Sequence, residues 1–98
     1  MAKVSKANRG KNRWIGLRIN QIPISWTILE DNLGKIMGNI NWKLFDLIDG
    51  EMHTLAILRI SLEDSLEAKK KINSIDGIST VTTSGKIRLV RQRLGIHE

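Results

Sequence analysis

Apolar residues along this chain switch repeatedly between two spacings. In "RWIGLRIN", Ile15, Leu17 and Ile19 alternate with Trp14, Gly16 and Arg18. A period of two puts one set on each side of an extended chain, so this stretch predicts a strand with one buried face. Leu29, Leu33, Ile36, Met37 and Ile40 then recur every three or four residues, which lays them along one stripe of a helix. Pro23 and Ser25 read as the start of that helix, proline fitting the first turn and serine capping it. Gly34 and Gly38 weaken it but allow close approach of a neighbour.

"NWKLFDLIDGEMHTLAILRI" holds two apolar runs around Asp49-Gly50, a favoured two-residue hairpin turn. The second run, Met52 to Ile60, is apolar nearly throughout and predicts a central strand. "SLEDSLEAKKKINSIDG" predicts a second helix. Ser61 or Asp64 serves as its cap, Asp64 and Glu67 match a capping box, and Gly77 is placed to end it. Its apolar half-wheel is Leu62, Leu66, Ala68, Ile72 and Ile75. "ISTVTT" is the last strand. The order strand, helix, strand, strand, helix, strand predicts an α+β ferredoxin-like sandwich, a four-stranded antiparallel sheet with two helices on one face. It would span residues 13–98 as a single domain, behind a disordered basic arm of residues 1–12. The short basic C-terminal segment reads as a helix or a fifth strand. Ile87, Val90 and Leu94 cluster on a helical wheel with Ser84 at the capping position, which favours the helix.

At 98 residues the chain is one domain's worth, able to bury roughly 65% of its unfolded surface. It has no cysteine, which removes disulfides, thiolate catalysis and cysteine-held zinc together. Its apolar stretches fall far short of the roughly 20 residues a membrane span needs. "MAKVSKANRGKNR" lacks the apolar block of a secretory signal, so no membrane association and a cytoplasmic location are expected.

The net charge of +6 is unevenly placed. Residues 1–20 carry six cations and no acid, residues 86–97 carry four cations, and residues 21–85 sum to −3. Positive ends around an acidic middle suit a polyanion, because each neutralised phosphate releases counterions. A solvated tail accounts for the N-terminal part equally well. Lys69, Lys70 and Lys71 on the second helix read as a solvated face suited to the helix C-terminal half, with RNA contact as the alternative.

Protein catalytic groups are scarce. The histidines are His53 and His97. His53, with Asp46, Asp49 and Glu51, could suggest a metal site, but an acidic hairpin tip explains the same residues. No GxSxG, HExxH or Walker-type loop occurs, so neither a catalytic residue nor a metal ligand is expected. Trp14, Trp26, Trp42 and Phe45 are the whole aromatic inventory. The central strand lacks the aromatic pattern of an RNA recognition motif, which argues against base stacking on the sheet and for core or interface roles of Trp14 and Trp42.

"TTSGKIRLVRQRLG" is both apolar and uniformly basic. Ser84-Gly85 allows a sharp turn whose amides can form an anion-binding nest, a helix start there adds positive potential, and Thr82, Thr83 and Ser84 bring hydroxyls. A simple turn before an amphipathic end fits the same spacing. In either case Ile87, Val90 and Leu94 anchor the segment while Lys86, Arg88, Arg91 and Arg93 face outward.

Three stretches together resemble the Pop-five-type protein subunit of ribonuclease P, called protein component 2 in archaea. They are "KNRWIGLRI", "LAILRISLEDSLEAKKKI" and "TTSGKIRLVRQRL", which span much of residues 11 to 94 in the family's order. The chain departs from the family in a shorter connection between its first two strands and in Lys86, where a small hydroxyl residue is common. The resemblance implies a non-catalytic RNA-binding protein that supports the catalytic RNA in removing the 5′ leader of precursor tRNA. Magnesium would belong to the RNA, with no cofactor bound by the protein. Implied partners are ribonuclease P RNA, a barrel-fold protein subunit and, indirectly, precursor tRNA, in an assembly compatible with a dimer or heterotetramer. By position, Arg13, Arg18, Ser84, Gly85, Lys86 and Arg88 become RNA contacts. The charge pattern adds Lys11, Arg91 and Arg93, and the hydroxyls before the turn add Thr83. The chain's "INSIDGISTVTT" also resembles ligand-sensing domains of the ACT or Lrp type, which share the fold order and bind amino acids. Another structural RNA-binding protein, such as a ribosomal protein, would share the electrostatics.

Overall fold

Alternation in the first strand is realised in β1 (Asn12–Ile19), where Ile15 and Leu17 are fully buried and Ile19 nearly so. The structure, a computed structural model, describes residues 11–96. Residues 1–10 of the expected arm, and His97, lie outside the described residues. β1 begins at Asn12, and the Lys11 carbonyl accepts a hydrogen bond from the Leu62 amide at 3.1 Å. The remaining elements are α1 (Trp26–Met37), β2 (Trp42–Asp49), β3 (Thr54–Ser61), a 3-10 turn (Leu62–Asp64), α2 (Ser65–Asn73), β4 (Ile78–Ser84) and α3 (Ile87–Leu94).

The strands lie in the order β2-β3-β1-β4, each neighbouring pair antiparallel. β1 and β2 therefore run parallel with β3 between them, and β3 and β4 run parallel with β1 between them. Two such split βαβ units make the ferredoxin-like arrangement. Leu29, Leu33 and Met37 of α1 and Ala68 and Ile72 of α2 pack on the inward side chains of the sheet. Full burial of a leucine such as Leu33 contributes roughly 1.5–3 kcal/mol.

Local signals were correct where packing agreed with them and gave way where it did not. Ser25 caps α1, its Oγ accepting from the Ile28 amide at 3.2 Å. Pro23 stands before that cap rather than in the first turn, because Ile24 between them is drawn into the core. α1 stops at Gly38, which takes φ 58°, a conformation costly for any residue with a Cβ. Ile40 lies past the helix end but still packs on the core. Asp49 pairs with Thr54, so the hairpin closes through a four-residue loop, not a two-residue Asp-Gly turn. This register seats Leu44 opposite Leu58 and Leu47 opposite Ala56, and core-facing partners outweigh a turn preference. Gly50 is still required, since a Cβ there would stand 2.5 Å from the His53 carbonyl oxygen.

α2 departs further from expectation. Ser61 donates its hydroxyl to the Asp64 carboxylate at 2.8 Å, and no side-chain cap is made by Asp64. A 3-10 turn stands in place of the capping box, and Leu66, two residues from buried Ala68 and so nearly opposite it on the helix, is 64% exposed. The helix ends at Asn73, whose side chain bonds Thr80 of β4. Gly77, at φ 88°, makes the turn into that strand.

The basic C-terminal segment is helical, and it covers the middle of the other side of the sheet. Gly16 of β1 faces away from α1 and α2. A Cβ on it would meet Val90 and Leu94 of α3 at 3.0 Å each. Val90 and Ile57, the residue paired with Gly16 on β3, are fully buried outside the main core. α3 ends in a left-handed Gly95, with the Ile96 amide bonded to the Arg91 carbonyl, the usual glycine helix stop.

Two glycine substitutions should have opposite signs. Gly34 is exposed inside α1, and a Cβ there meets the Trp42 ring at an ordinary 3.9 Å. Gly34→Ala should therefore stabilise by about 0.5–1 kcal/mol. Gly16→Ala should destabilise by about 1–3 kcal/mol through overpacking against α3. Chemical denaturation of both variants checks the pair, and an innocuous Gly16→Ala would mean that α3 is not held tightly to the sheet.

Candidate nucleic-acid interface

Antiparallel pairing sets the start of β1 beside the end of β4, with Trp14 opposite Ser84. The two cationic segments meet there. The Arg13 Nη1 lies 3.0 Å from where a Cβ on Gly85 would be, and it donates to the Asn12 carbonyl at 3.1 Å. Gly85, Lys86, Arg88 and Lys11 are exposed, and Arg13 is half-buried. This end of the sheet is thus lined by cations from both ends of the sequence.

The turn itself differs from the expected nest. Ser84 does not cap α3. Its Oγ accepts from the Lys86 amide at 3.2 Å, and Lys86 holds the capping position with no side-chain cap bond. The positive-φ glycines among the described residues are Gly38, Gly77 and Gly95. Gly85 therefore lacks the left-handed geometry on which an amide nest depends. Side-chain cations, with the positive end of α3 behind them, are what this corner offers an anion.

Cross-strand register adds residues that sequence reasoning did not select. Trp14 pairs with Arg59, and Arg59 pairs with Lys43. Lys43, Arg59, Trp14 and Ser84 consequently form one row across all four strands, on the side away from α1 and α2. A register shift between Leu44 and Asp46 makes Phe45 the extra residue of a β-bulge, and such a bulge re-aims its side chain. Phe45 meets Trp14 edge to face, with ring centroids 4.7 Å apart at 85°. The Lys43 Nζ stands 5.3 Å from the Phe45 centroid and the Arg59 Cζ 5.4 Å, within cation–π range. Trp42 packs on the main core, whereas Trp14 belongs to this outer row.

Other expected contacts are placed differently. Arg91 donates from Nε to Asp46 Oδ2 at 2.8 Å and from Nη2 to Oδ1 at 3.2 Å. That bidentate pair is largely shielded, at 27% and 17% exposure, and its charge is spent holding α3 to β2 rather than facing RNA. The same pairing takes Asp46 out of the acidic hairpin tip. Arg93 lies along β4, donating to Thr82 Oγ1 at 3.0 Å and to the Thr83 carbonyl at 3.2 Å. Thr83 pairs with Ile15 and shares its core-side face, while Thr82 pairs with Gly16 on the outer side. The cause is a second register shift, which leaves Val81 unpaired and breaks the alternation of β4 at that point. Arg18 is exposed on the outer side but pairs with Leu55 and Ser79. It stands about 13 Å along the strand from Trp14, at the far end. Lys69 to Lys71 lie on α2, in the helical layer.

Among the described residues no helix is long and apolar enough to cross a membrane. Neither a protein-family model, nor a curated protein, nor a solved structure matches the chain.

Asp46→Asn should destabilise the protein by about 1–2 kcal/mol, above the range of a fully exposed pair, because Arg91 would keep its partial burial without its counter-charge. Arg88→Ala should change stability by no more than about 0.5 kcal/mol. Urea midpoints of the two variants check this, and equal midpoints would show that the Arg91 pair does not fasten α3.

Proposed function

We propose that this protein is an RNA-binding subunit that grips a nucleic-acid backbone at the sheet end formed by the start of β1 and the turn into α3. The observation that carries the reading is the contact of Arg13 with Gly85, which joins two cationic segments far apart in sequence. Arg13, Lys86 and Arg88, with Lys11 beside them, supply charge at phosphate height, and Arg59 and Lys43 extend it across the strands. Within the Lys43–Arg59–Trp14–Ser84 row there is no acid, and Asp46 one step further in is neutralised by Arg91.

The resemblance to the Pop-five-type subunit points to ribonuclease P RNA as the partner, with magnesium and the cleavage chemistry residing in that RNA. A barrel-fold protein subunit and, indirectly, precursor tRNA belong to the same proposal. Support for this narrower reading comes from the three ordered sequence stretches; support for RNA binding comes from the charge geometry.

Binding of a structured RNA should weaken steeply with salt, with a log–log slope of about −0.9 for each phosphate contacted on a duplex. Lys86→Ala combined with Arg88→Ala should make that slope shallower by about 2 while leaving the melting temperature unchanged. Fluorescence anisotropy across a salt series reads both quantities. Undiminished affinity and slope in the double variant would remove this corner as the RNA surface. Reconstitution with ribonuclease P RNA and precursor tRNA tests the narrower reading. Salt-sensitive RNA binding without stimulated cleavage would leave an RNA-binding protein of another assembly. A thermal shift with an amino acid, and no salt-sensitive RNA binding, would favour the sensor class instead.

A further inference from the structure

We infer that the Trp14–Phe45 pair is a stacking seat for an unpaired base, adjoining the backbone grip; this deepens the proposed RNA-binding function and rests on it. Four observations converge. Trp14 and Phe45 lie on the outer side of the sheet, away from the core that α1 and α2 cover, and both are half-buried rather than sunk. Their edge-to-face contact at 4.7 Å fixes the rings against each other, so little side-chain freedom is lost when a third ring arrives. Lys43, on the same strand as Phe45, and Arg59, on β3, both stand against the Phe45 ring, which leaves Trp14 as the ring without a cation over it and puts two charges within reach of the phosphates of a nucleotide stacked there. α3 seats over Gly16, the next outward residue of β1, so the aromatic pair adjoins the helix and marks where the covered part of this face gives way to the cationic end.

Charge selects the occupant. A protein segment docking on two aromatic rings would meet Lys43 and Arg59 with no acid in their row. A nucleotide supplies a π-face for the rings and an anion for each cation in one unit. Stacking of this kind tolerates any base and adds to electrostatic binding. An unpaired base is what the pair can take, since a base inside a duplex has no free face, so the ligand class is an RNA with a single-stranded extension rather than a blunt helix. The missing aromatic pattern of the central strand argued against stacking on this sheet; the bulge at Phe45 brings the ring within reach of Trp14 from two strands away.

The test uses two RNAs of equal charge: a hairpin with a three-nucleotide single-stranded extension, and the same hairpin with that extension made abasic. The intact chain should bind the base-bearing RNA about tenfold more tightly. Trp14→Leu should abolish that preference while leaving affinity for the abasic RNA and its salt slope unchanged. Trp14→Phe, which keeps a ring, should retain most of it. Circular dichroism and melting temperature verify that each variant folds. The wild-type comparison stands without them. Equal affinity of the wild-type protein for the two RNAs, or an undiminished preference in Trp14→Leu, overturns the stacking seat and leaves the backbone grip standing. Absence of binding to either RNA overturns the grip, and the seat with it.

Discussion

Pairing of β1 with β4 sets Trp14 across from Ser84, and the arrangement at that end of the molecule follows from it. β1 is an inner strand, so its first residues cannot swing away from the sheet without breaking ladders on both sides. β4 delivers the chain to the same edge of the sheet and then releases it through Ser84 and Gly85. Glycine at 85 leaves room for the Arg13 guanidinium. A cationic surface built from sequence positions some seventy residues apart is thus a consequence of strand order.

α3 makes that surface one-sided. In a bare ferredoxin-like sandwich the face away from the helices is open. Here Val90 and Leu94 come down on Gly16, and the Arg91–Asp46 pair ties the helix to β2. The helix can approach so closely only because β1 presents hydrogen where other residues present a side chain. The face stays accessible at its two ends, one marked by Trp14 and the outward cations of the turn, the other by exposed Arg18 and Ile48. Two bulges refine the picture. One, at Phe45, turns Phe45 and Asp46 to the outer side together. The other, at Val81, turns Thr82 outward to meet Arg93 and sends Thr83 to the core side.

Element order and the inward residues of β1 and α1 were legible in the sequence because periodicity is local, whereas the run from Met52 to Ile60 showed a strand but no face, and Met52 falls in the loop before it. Ile15, Leu17, Leu29 and Leu33 announce their burial by spacing alone. The C-terminal helix was legible for the same reason, through Ile87, Val90 and Leu94. Its seat on the sheet was not, since nothing local marks Gly16 as a docking point. The hairpin loop was misjudged because register across two strands, not the turn residues, decides its length. Arg91 looked like its neighbours Arg88 and Arg93 until the fold brought Asp46 to it. Lys43 and Arg59 escaped notice because each is an isolated cation within an apolar strand, and only the pairing aligns them with Trp14.

Chemical-shift mapping of the backbone amides during titration with a structured RNA tests the central claim most directly. The account predicts that the largest shifts fall at residues 12–14, 43, 59 and 84–88, with the amides of α1 and α2 unmoved. Shifts concentrated on α2 around Lys69 to Lys71, or on the loop between β2 and β3, would contradict it.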